Sequence, residues 1–269
     1  MTSRGELAPR RACYRRACRT FEYSPGACAG QTRKAPLSTD SESEHRAGYN
    51  RSVLGLTLPD LLSRLITLVL ALTFHELAHA VVATRLGDPT AAQLGRLSLN
   101  PLRHLDPLGS LMLVAVGFGW AKPVPVNPNN LRPGPRAGMG IVSAAGPSAN
   151  LLLAALAALP FALGLVGPEF VPRTRFLPTP AFFLTQFVII NIILAVFNLL
   201  PFAPLDGEKV VGSLLRGSAA RTFDQLQRYG PMILIVLVFG LPLVGIDPIS
   251  WIIRGVGQVL FSWFVSWGS

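Results

Sequence analysis

The sequence predicts an all-α polytopic membrane protein with about four to five transmembrane helices, a short re-entrant segment and small β-strand elements. Hydrophobic residues make up 50% of the 269 residues, charged residues only 14%, and the mean hydropathy is +0.44. These values fit a polytopic membrane protein and argue against a soluble enzyme. Several apolar runs also have the length of about 20 residues that a helix needs to cross a bilayer.

The positive charge is spread along the chain and forms no patch. The formal net charge is +10, but the Lys and Arg residues stand in ones and twos between the apolar runs. No RNA- or DNA-binding motif is found, so the charge indicates orientation in the membrane and no nucleic-acid partner is expected. The three cysteines lie far from every apolar run, and their odd number gives no disulfide framework. They are Cys13, Cys18 and Cys28.

Residues 1–55 are rich in Arg, Ser and Ala and have no apolar periodicity. We expect them to form a disordered basic tail, followed by one membrane-embedded domain over residues 56–269. The basic start lacks the apolar segment of a signal peptide. The alternative is that translation starts further along the chain.

Three uninterrupted membrane spans are predicted. Their approximate bounds are 59–86, 138–166 and 181–203. In the first span, Pro59 and Asp60 suit the first helical turn, and Gly87 suits the stop. The second span opens with small residues that permit close helix contact. The third is followed by a predicted loop over residues 204–228.

Shorter apolar and Pro-rich segments complete the prediction. The stretch 229–266 is broken around residues 242–248, which predicts one span plus a second span or an interfacial helix. Residues 107–119 are apolar but only about half a span long, which predicts the re-entrant segment. The alternating leucines of residues 94–99 predict a strand. The Pro-rich residues 120–137 predict a second strand that pairs with it at an edge.

The first span contains His75-Glu76-Leu77-Ala78-His79, the H-E-x-x-H pattern. Two histidines four residues apart on a helix project from one face, so both imidazoles can reach one metal ion. Glu76 lies beside them, where it can take a proton from bound water. The alternative is a pair of membrane histidines that neighbouring helices satisfy. Because two histidines and a glutamate are costly in a bilayer, a functional metal site is favoured.

A catalytic zinc site takes three protein ligands and keeps one open position for water. His45 lies in the tail and His104 is the other remaining histidine, so we expect a carboxylate as the third ligand. Asp206 stands out because it follows an apolar span at a Pro-broken turn, and broken backbone at membrane depth is tolerated where it lines a cavity. On local chemistry alone, Asp206-Gly207 also fits a simple turn.

Membrane depth favours Asp206 as a ligand. The two histidines lie in the second half of the first span and Asp206 follows the end of the third, so these spans must run parallel to bring the residues to one level. Two spans run parallel only if the chain crosses the membrane an odd number of times between them. Span 138–166 supplies one crossing, so residues 107–119 must be re-entrant and must not cross. Ten of the basic residues at or outside the ends of the spans then share one side, which the positive-inside rule identifies as the cytoplasm. They are Arg85, Arg96, Arg103, Lys122, Arg132, Arg136, Lys209, Arg216, Arg221 and Arg228.

Five segments carry a resemblance to a known family. They are HELAH at 75–79, GRLSLNPLRHLDPLG at 95–109, FGWAKPVPVNP at 118–128, AGPSAN at 145–150 and FNLLPFAPLDG at 197–207. Over about residues 59–240 the chain resembles the site-2 protease family of intramembrane zinc metalloproteases, in particular its compact bacterial branch without a PDZ domain. The resemblance implies one zinc ion held by His75, His79 and Asp206.

By the same resemblance, Glu76 is the general base and Asn150 matches an asparagine near the active site, in the motif Gly-Pro-x-x-Asn. Asn150 could hold the substrate backbone or stabilise an oxyanion through its amide group. Asn198 falls in the segment that leads to the aspartate motif. His104 matches a further family pattern, His-x-Asp-Pro-x-Gly, although a bond to a backbone carbonyl is the commoner role for such a histidine.

The expected function is therefore hydrolysis of peptide bonds in membrane-spanning proteins or peptides, as in regulated intramembrane proteolysis. The expected location is the cell membrane, with the active site toward the cytoplasm. A substrate helix must be unwound, and the Pro-rich residues 122–128 suggest an edge that accepts an extended substrate by strand addition. One alternative is a membrane divalent-metal transporter, which leaves Glu76 without a role. The other is a non-catalytic zinc-binding scaffold, which needs a fourth ligand that the sequence does not offer.

Overall fold

The computed structural model of the protein describes residues 57–106, 108–109 and 121–266. The predicted basic tail lies outside these residues, as does almost all of the predicted re-entrant segment, and both stay predictions. The described residues include nine α-helices, a π-helical turn and two 3₁₀ turns. The α-helices are α1 (Leu58–Arg85), α2 (Thr90–Gln93), α3 (Pro135–Ala162), α4 (Pro180–Asn198), α5 (Asp206–Leu214), α6 (Gly217–Gln227), α7 (Gly230–Ile235), α8 (Leu241–Leu243) and α9 (Pro248–Val265). The π-helical turn is Val236–Gly240, and the 3₁₀ turns are Pro101–Arg103 and Pro128–Asn130.

Four described helices are long and apolar enough to cross a membrane: α1, α3, α4 and α9. Helix α6 and the segment from α7 to α8 are bent by 63° and could together supply a fifth span. The predicted class, a mostly helical protein with four to five spans, is thus confirmed. The predicted break near residues 242–248 is also confirmed, because α8 ends at Leu243 and α9 begins at Pro248.

Helix α1 begins and ends where its sequence signals predict. The Thr57 hydroxyl accepts a hydrogen bond from the Asp60 backbone N–H, and the Asp60 carboxylate accepts one from the Thr57 N–H, which forms a capping box. Gly87 follows the helix with φ of +109°, a left-handed conformation that favours glycine. A side chain there would also crowd the Asn130 carbonyl, since an added Cβ would lie 3.1 Å from its oxygen.

Three predictions from the sequence are wrong: the loop over residues 204–228, the strand over residues 94–99 and the second strand over residues 120–137. The predicted loop 204–228 forms helices α5 and α6. The predicted strand over residues 94–99 is irregular backbone. The described residues contain no sheet, and an isolated antiparallel bridge between Leu105 and Ala121 replaces the expected strand pair. The spacing of the leucines does not indicate a buried face, because Leu94, Leu97 and Leu99 are all exposed.

Helix α3 lies at the centre of the described domain and contacts α1, α4 and α5. Small residues let these helices approach closely, as is common between membrane helices. Ala71 and Ala80 of α1 and Ala154 of α3 are fully buried. Phe161 of α3 and Ile192 of α4 belong to one apolar cluster between these two helices. The packing therefore places the H-E-x-x-H face of α1 against the small-residue half of α3.

Asp88 connects the end of α1 to the Pro-rich segment. Its side chain is fully buried and accepts hydrogen bonds from the Thr90 backbone and hydroxyl, the Asn130 amide and the Asn127 backbone. Burial opposes the charge of Asp88, but these hydrogen bonds outweigh it and hold the pKa of the carboxyl below its usual value. The Pro-rich segment is thereby tied to the helix that carries the metal-site histidines.

We expect Asp88→Ala to lower the free energy of unfolding by about 3 kcal/mol, because the four hydrogen bonds that the buried carboxylate accepts are lost. Denaturant unfolding of the purified protein in detergent measures the change. The matched control is Asp224→Ala, since Asp224 pairs with Arg136 at an exposed site and should contribute about 0–1 kcal/mol. Equal losses in both variants would contradict the role of Asp88.

Candidate metal centre

His75 is held by a chain of side-chain amides that runs from α1 through α3 to α4. Its Nδ1 contacts Asn150 Oδ1 at 2.7 Å, and the Asn150 amide donates to Asn191 Oδ1 at 3.1 Å. The Asn191 amide in turn donates to the Phe187 carbonyl at 2.9 Å. Because a backbone carbonyl can only accept, the chain has one direction, and Nδ1 of His75 is the donor. His75 Nε2 is then free to bind a metal ion.

His79 is oriented in the same way by a different acceptor. Its Nδ1 lies 2.7 Å from the Val142 carbonyl on α3, so Nδ1 donates and Nε2 is again the free nitrogen. The rings of His75 and His79 lie 4.7 Å apart at 85° to one another. Such support of a ligating histidine by a carbonyl or amide acceptor is typical of metal sites.

Asp206 is brought to the histidines by the loop between α4 and α5. Its Oδ2 lies 3.1 Å from His75 Nε2 and 3.3 Å from His79 Nε2. At these distances Asp206 and the two imidazoles can share a proton or a metal ion, and either positive charge favours the ionised carboxylate. The aspartate therefore stays anionic at neutral pH, as a metal ligand must.

The three side chains fit a zinc ion. Zinc bonds to nitrogen and oxygen are about 2.0–2.2 Å long, so ligand atoms of a tetrahedral site lie about 3.3–3.6 Å apart, close to the distances observed here. His75, His79 and Asp206 form a group that could hold a metal ion, with ligand atoms all within 4.8 Å of one another. A proton on either Nε2 bridges to Asp206 Oδ2, and a metal ion would replace that proton.

Gly146 of α3 forms the wall of the site beside the two imidazoles. An added Cβ would lie 2.4 Å from His79 Nε2 and 2.5 Å from His75 Nε2. No side chain can occupy that space while both nitrogens keep their positions. The sequence predicted close helix contact at the small residues of this region, and at Gly146 the structure confirms it.

Glu76 is nearly buried on α1, next to the first histidine. Its Oε2 accepts a hydrogen bond from the Val124 backbone N–H at 3.2 Å. The Pro-rich segment therefore lies directly against the predicted general base. The same segment is fixed at its ends, since the Lys122 N–H donates to the His104 carbonyl and the Asn127 N–H to Asp88.

The remaining residues singled out in the sequence have different surroundings. Asn150 is fully buried and both of its polar atoms are engaged within the protein, which favours orientation of His75 over contact with substrate. His104 Nε2 donates to the Ser98 carbonyl at 2.7 Å, the commoner role for such a histidine. Asn198 donates to the Leu194 carbonyl of its own helix. Lys122 is exposed.

Sequence reasoning missed the supporting residues around the ligands. Asn191 is the clearest case, because a polar side chain in a helix as apolar as α4 is a signal of an internal partner. The roles of Asp88 and the Val142 carbonyl had no comparable signal, and for Gly146 the sequence indicated close helix contact but not its place beside the imidazoles. Each depends on which helix faces the site.

Comparison with known proteins agrees with this geometry. The model of "Peptidase family M50" matches residues 174–241, which include Asp206. The chain is 41% identical over 175 residues to "Putative zinc metalloprotease YwhC" of Bacillus subtilis, a match that covers 64% of this chain and 78% of that protein. No solved structure shows significant similarity.

Two mycobacterial proteins, both named "Putative zinc metalloprotease Rip2", are also similar. The protein of Mycolicibacterium smegmatis is 32% identical over 63% of this chain, and that of Mycobacterium tuberculosis H37Rv is 31% identical over 63% of this chain. The chain spans slightly less than two thirds of these relatives, 64% and 63% of their lengths. The zinc-site geometry and the extent of the match to the Bacillus protein lead to one conclusion: the chain belongs to peptidase family M50, the site-2 protease family of zinc metalloproteases.

Proposed function

We propose that this zinc metalloprotease hydrolyses peptide bonds within membrane-spanning proteins or peptides, as in regulated intramembrane proteolysis. The observation that carries the proposal is the position of the three-ligand group between helices long enough to cross a bilayer. Two ligands lie within one such helix, α1, so the reaction takes place at membrane depth. A substrate that reaches the site must then enter from the bilayer.

The side chains at the site supply complementary parts of the reaction. His75, His79 and Asp206 would hold a zinc ion, which would act as a Lewis acid toward the scissile carbonyl and would lower the pKa of a water molecule to about 7. Glu76 takes a proton from the attacking water and delivers it to the leaving amine. Asn150 keeps His75 in the tautomer and orientation that metal binding requires.

We also propose that the protein lies in the cell membrane with its active site toward the cytoplasm. Ten basic residues, from Arg85 to Arg228, support this orientation by the positive-inside rule, because they lie on the side where α1 ends if only α3 crosses the membrane between α1 and α4. Arg85 lies in the last turn of α1, six residues beyond His79. The test introduces a cysteine at the exposed position Arg132 and treats intact cells with a membrane-impermeant thiol reagent. We expect no labelling of this cysteine, and labelling would show the reverse orientation.

The Pro-rich residues 122–126 are proposed to receive the substrate as an extended strand. Pro123 and Pro125 have no N–H group, so they leave the backbone short of internal partners. The Val124 N–H is held by Glu76 and could pass to a substrate carbonyl when a peptide enters. The exchange would place the scissile bond beside Glu76 and free its carboxylate for proton transfer.

Replacement of residues 122–126 by an alanine-rich helical sequence is expected to reduce cleavage at least about tenfold without loss of bound zinc, because main-chain pairing with the substrate is lost. Asn127 is kept, so its hydrogen bond to Asp88 remains. Cleavage and zinc stoichiometry are measured on the same purified protein. Undiminished cleavage by the replaced variant would contradict strand addition.

The experiment that tests the proposed function is cleavage of a panel of single-span membrane peptides by the purified protein in detergent with zinc. Chelation should stop cleavage, and added zinc should restore it. The rival function, divalent-metal transport, is tested in liposomes by zinc flux. Zinc flux without cleavage of any peptide in the panel would overturn the proposal. If the zinc-loaded protein showed neither cleavage nor flux, the result would favour a non-catalytic zinc-binding scaffold.

A further inference from the structure

The loop between α4 and α5, residues 199–205, leads directly to Asp206, and contacts between its two ends determine its shape. Gly207, at the start of α5, lies against the end of α4, because an added Cβ would lie 2.3 Å from the Leu199 carbonyl oxygen and 2.4 Å from that of Leu200. Within the loop, the Phe202 N–H donates to the Leu200 carbonyl and the Leu205 N–H to the Phe202 carbonyl. Any shift of this loop therefore moves Asp206.

Gln227 holds the middle of this loop from outside. It is the last residue of α6, and only 8% of it is exposed. Its Oε1 accepts a hydrogen bond from the Ala203 N–H at 2.8 Å, and its Nε2 donates to the Pro201 carbonyl at 3.0 Å. One side-chain amide thus satisfies a donor and an acceptor two residues apart, as a neighbouring strand would. A primary amide is required, because the loop offers one donor and one acceptor.

A second contact at the same corner supports the loop. Gly230 begins α7, three residues after Gln227, and is buried. An added Cβ at Gly230 would lie 2.8 Å from both the backbone nitrogen and the Cβ of Ala203. On the other side, Leu205 belongs to an apolar cluster with Ile249 of α9. The C-terminal helices therefore fix the loop by hydrogen bonds, close backbone approach and apolar packing.

We infer that Gln227 is a positioning residue for the metal ligand Asp206, acting through the backbone of Pro201 and Ala203. The inference rests on the proposed function only for the presence of zinc at the site. Without the amide, the Ala203 N–H and the Pro201 carbonyl lose their partners, and the loop loses the contact that fixes its middle. The Asp206 carboxylate then spends less time at the 3.1 and 3.3 Å distances that it has from the two imidazoles.

The test compares Gln227→Ala with Gln225→Ala, a matched control because Gln225 lies on the same helix with an exposed side chain. Zinc affinity is measured by competition with a chelator, and the coordination of the site by the visible absorption of bound Co²⁺. We expect Gln227→Ala to weaken zinc binding by about 10–100-fold and to change the Co²⁺ spectrum, as for other residues that orient a ligand. Gln225→Ala should leave both unchanged.

Cleavage at saturating zinc separates this inference from the proposed function. It should recover in Gln227→Ala toward the wild-type rate, because the variant retains every ligand and the general base. Wild-type zinc affinity in folded Gln227→Ala would overturn the inference and leave the proposed function intact. A wild-type protein that binds zinc but cleaves nothing would overturn the function, while the affinity comparison would still decide the role of Gln227.

A second variant covers the case in which Gln227→Ala does not fold. Gln227→Glu keeps an acceptor for the Ala203 N–H but places an oxygen opposite the Pro201 carbonyl, so it removes one hydrogen bond and preserves the volume. Its zinc affinity should fall at least about tenfold. An affinity equal to that of Gln225→Ala would count against the inference.

Discussion

Glu76→Gln should abolish peptide cleavage while zinc remains bound. The amide cannot take a proton from water or return one to the leaving amine, and general acid–base catalysis contributes about 10²–10⁴-fold to such reactions. The substitution keeps the size of the side chain and an oxygen acceptor for the Val124 N–H, so the Pro-rich segment should stay in place. The measurement is the cleavage rate of a single-span peptide, together with the bound zinc in each protein.

Glu208→Gln is the matched control for this prediction. It makes the same chemical change close to the metal site, two residues after Asp206, at a side chain with no assigned role in the reaction. We expect its cleavage rate to stay near that of the wild type. Cleavage by zinc-loaded Glu76→Gln at the wild-type rate would remove Glu76 from the mechanism.

Gly146→Ala should prevent normal zinc binding, although it adds only one methyl group. That methyl would lie 2.4 and 2.5 Å from the two histidine nitrogens that face the metal, well inside van der Waals contact. Either α3 moves away or the imidazoles turn, and both responses displace ligands from a site that has only three. We expect zinc affinity to fall by at least about 100-fold, the upper end of the effect of residues that support metal ligands.

The matched control is Gly255→Ala in α9. Gly255 is also a helical glycine, but an added Cβ there meets no atom within 4 Å. Both substitutions favour the helix itself by about 1 kcal/mol, so a difference between them reports the local space. Chelator competition measures zinc affinity and far-UV circular dichroism verifies the helices. Tight zinc binding in Gly146→Ala would show that α3 does not form the wall of the site.

Acid should weaken the fold partly through Asp88. The pKa of Asp88 is lowered in the folded protein, so its hydrogen bonds stabilise the fold above the pKa of about 3.9 that an unfolded Asp has. That stabilisation is lost as the pH falls through the lower pKa of the folded state. Asp88→Ala, which lacks the group, should therefore lose less stability than the wild type over this range.

The fold could be predicted as far as hydrophobicity and length determine it. Spans of 28, 28 and 19 residues follow directly from apolar runs of sufficient length. The two amphipathic helices α5 and α6 were missed because the residues before them, Leu205 and Arg216, provide no side-chain cap. The leucines of residues 94–99 wrongly predicted a strand, because all three are exposed and form no buried face.

The sequence by itself predicted the two histidines and the adjacent glutamate, because residues four apart on a helix share a face. It also favoured the aspartate, because the number of membrane crossings can be counted along the chain. Only the tertiary structure decided what supports them. The direction of the Asn191–Asn150–His75 chain, the space that Gly146 leaves open and the clamp of Gln227 on the aspartate loop all join residues that are distant in sequence. Such contacts depend on helix rotation and separation at the scale of single ångströms, which the pattern of residue types along a chain does not specify.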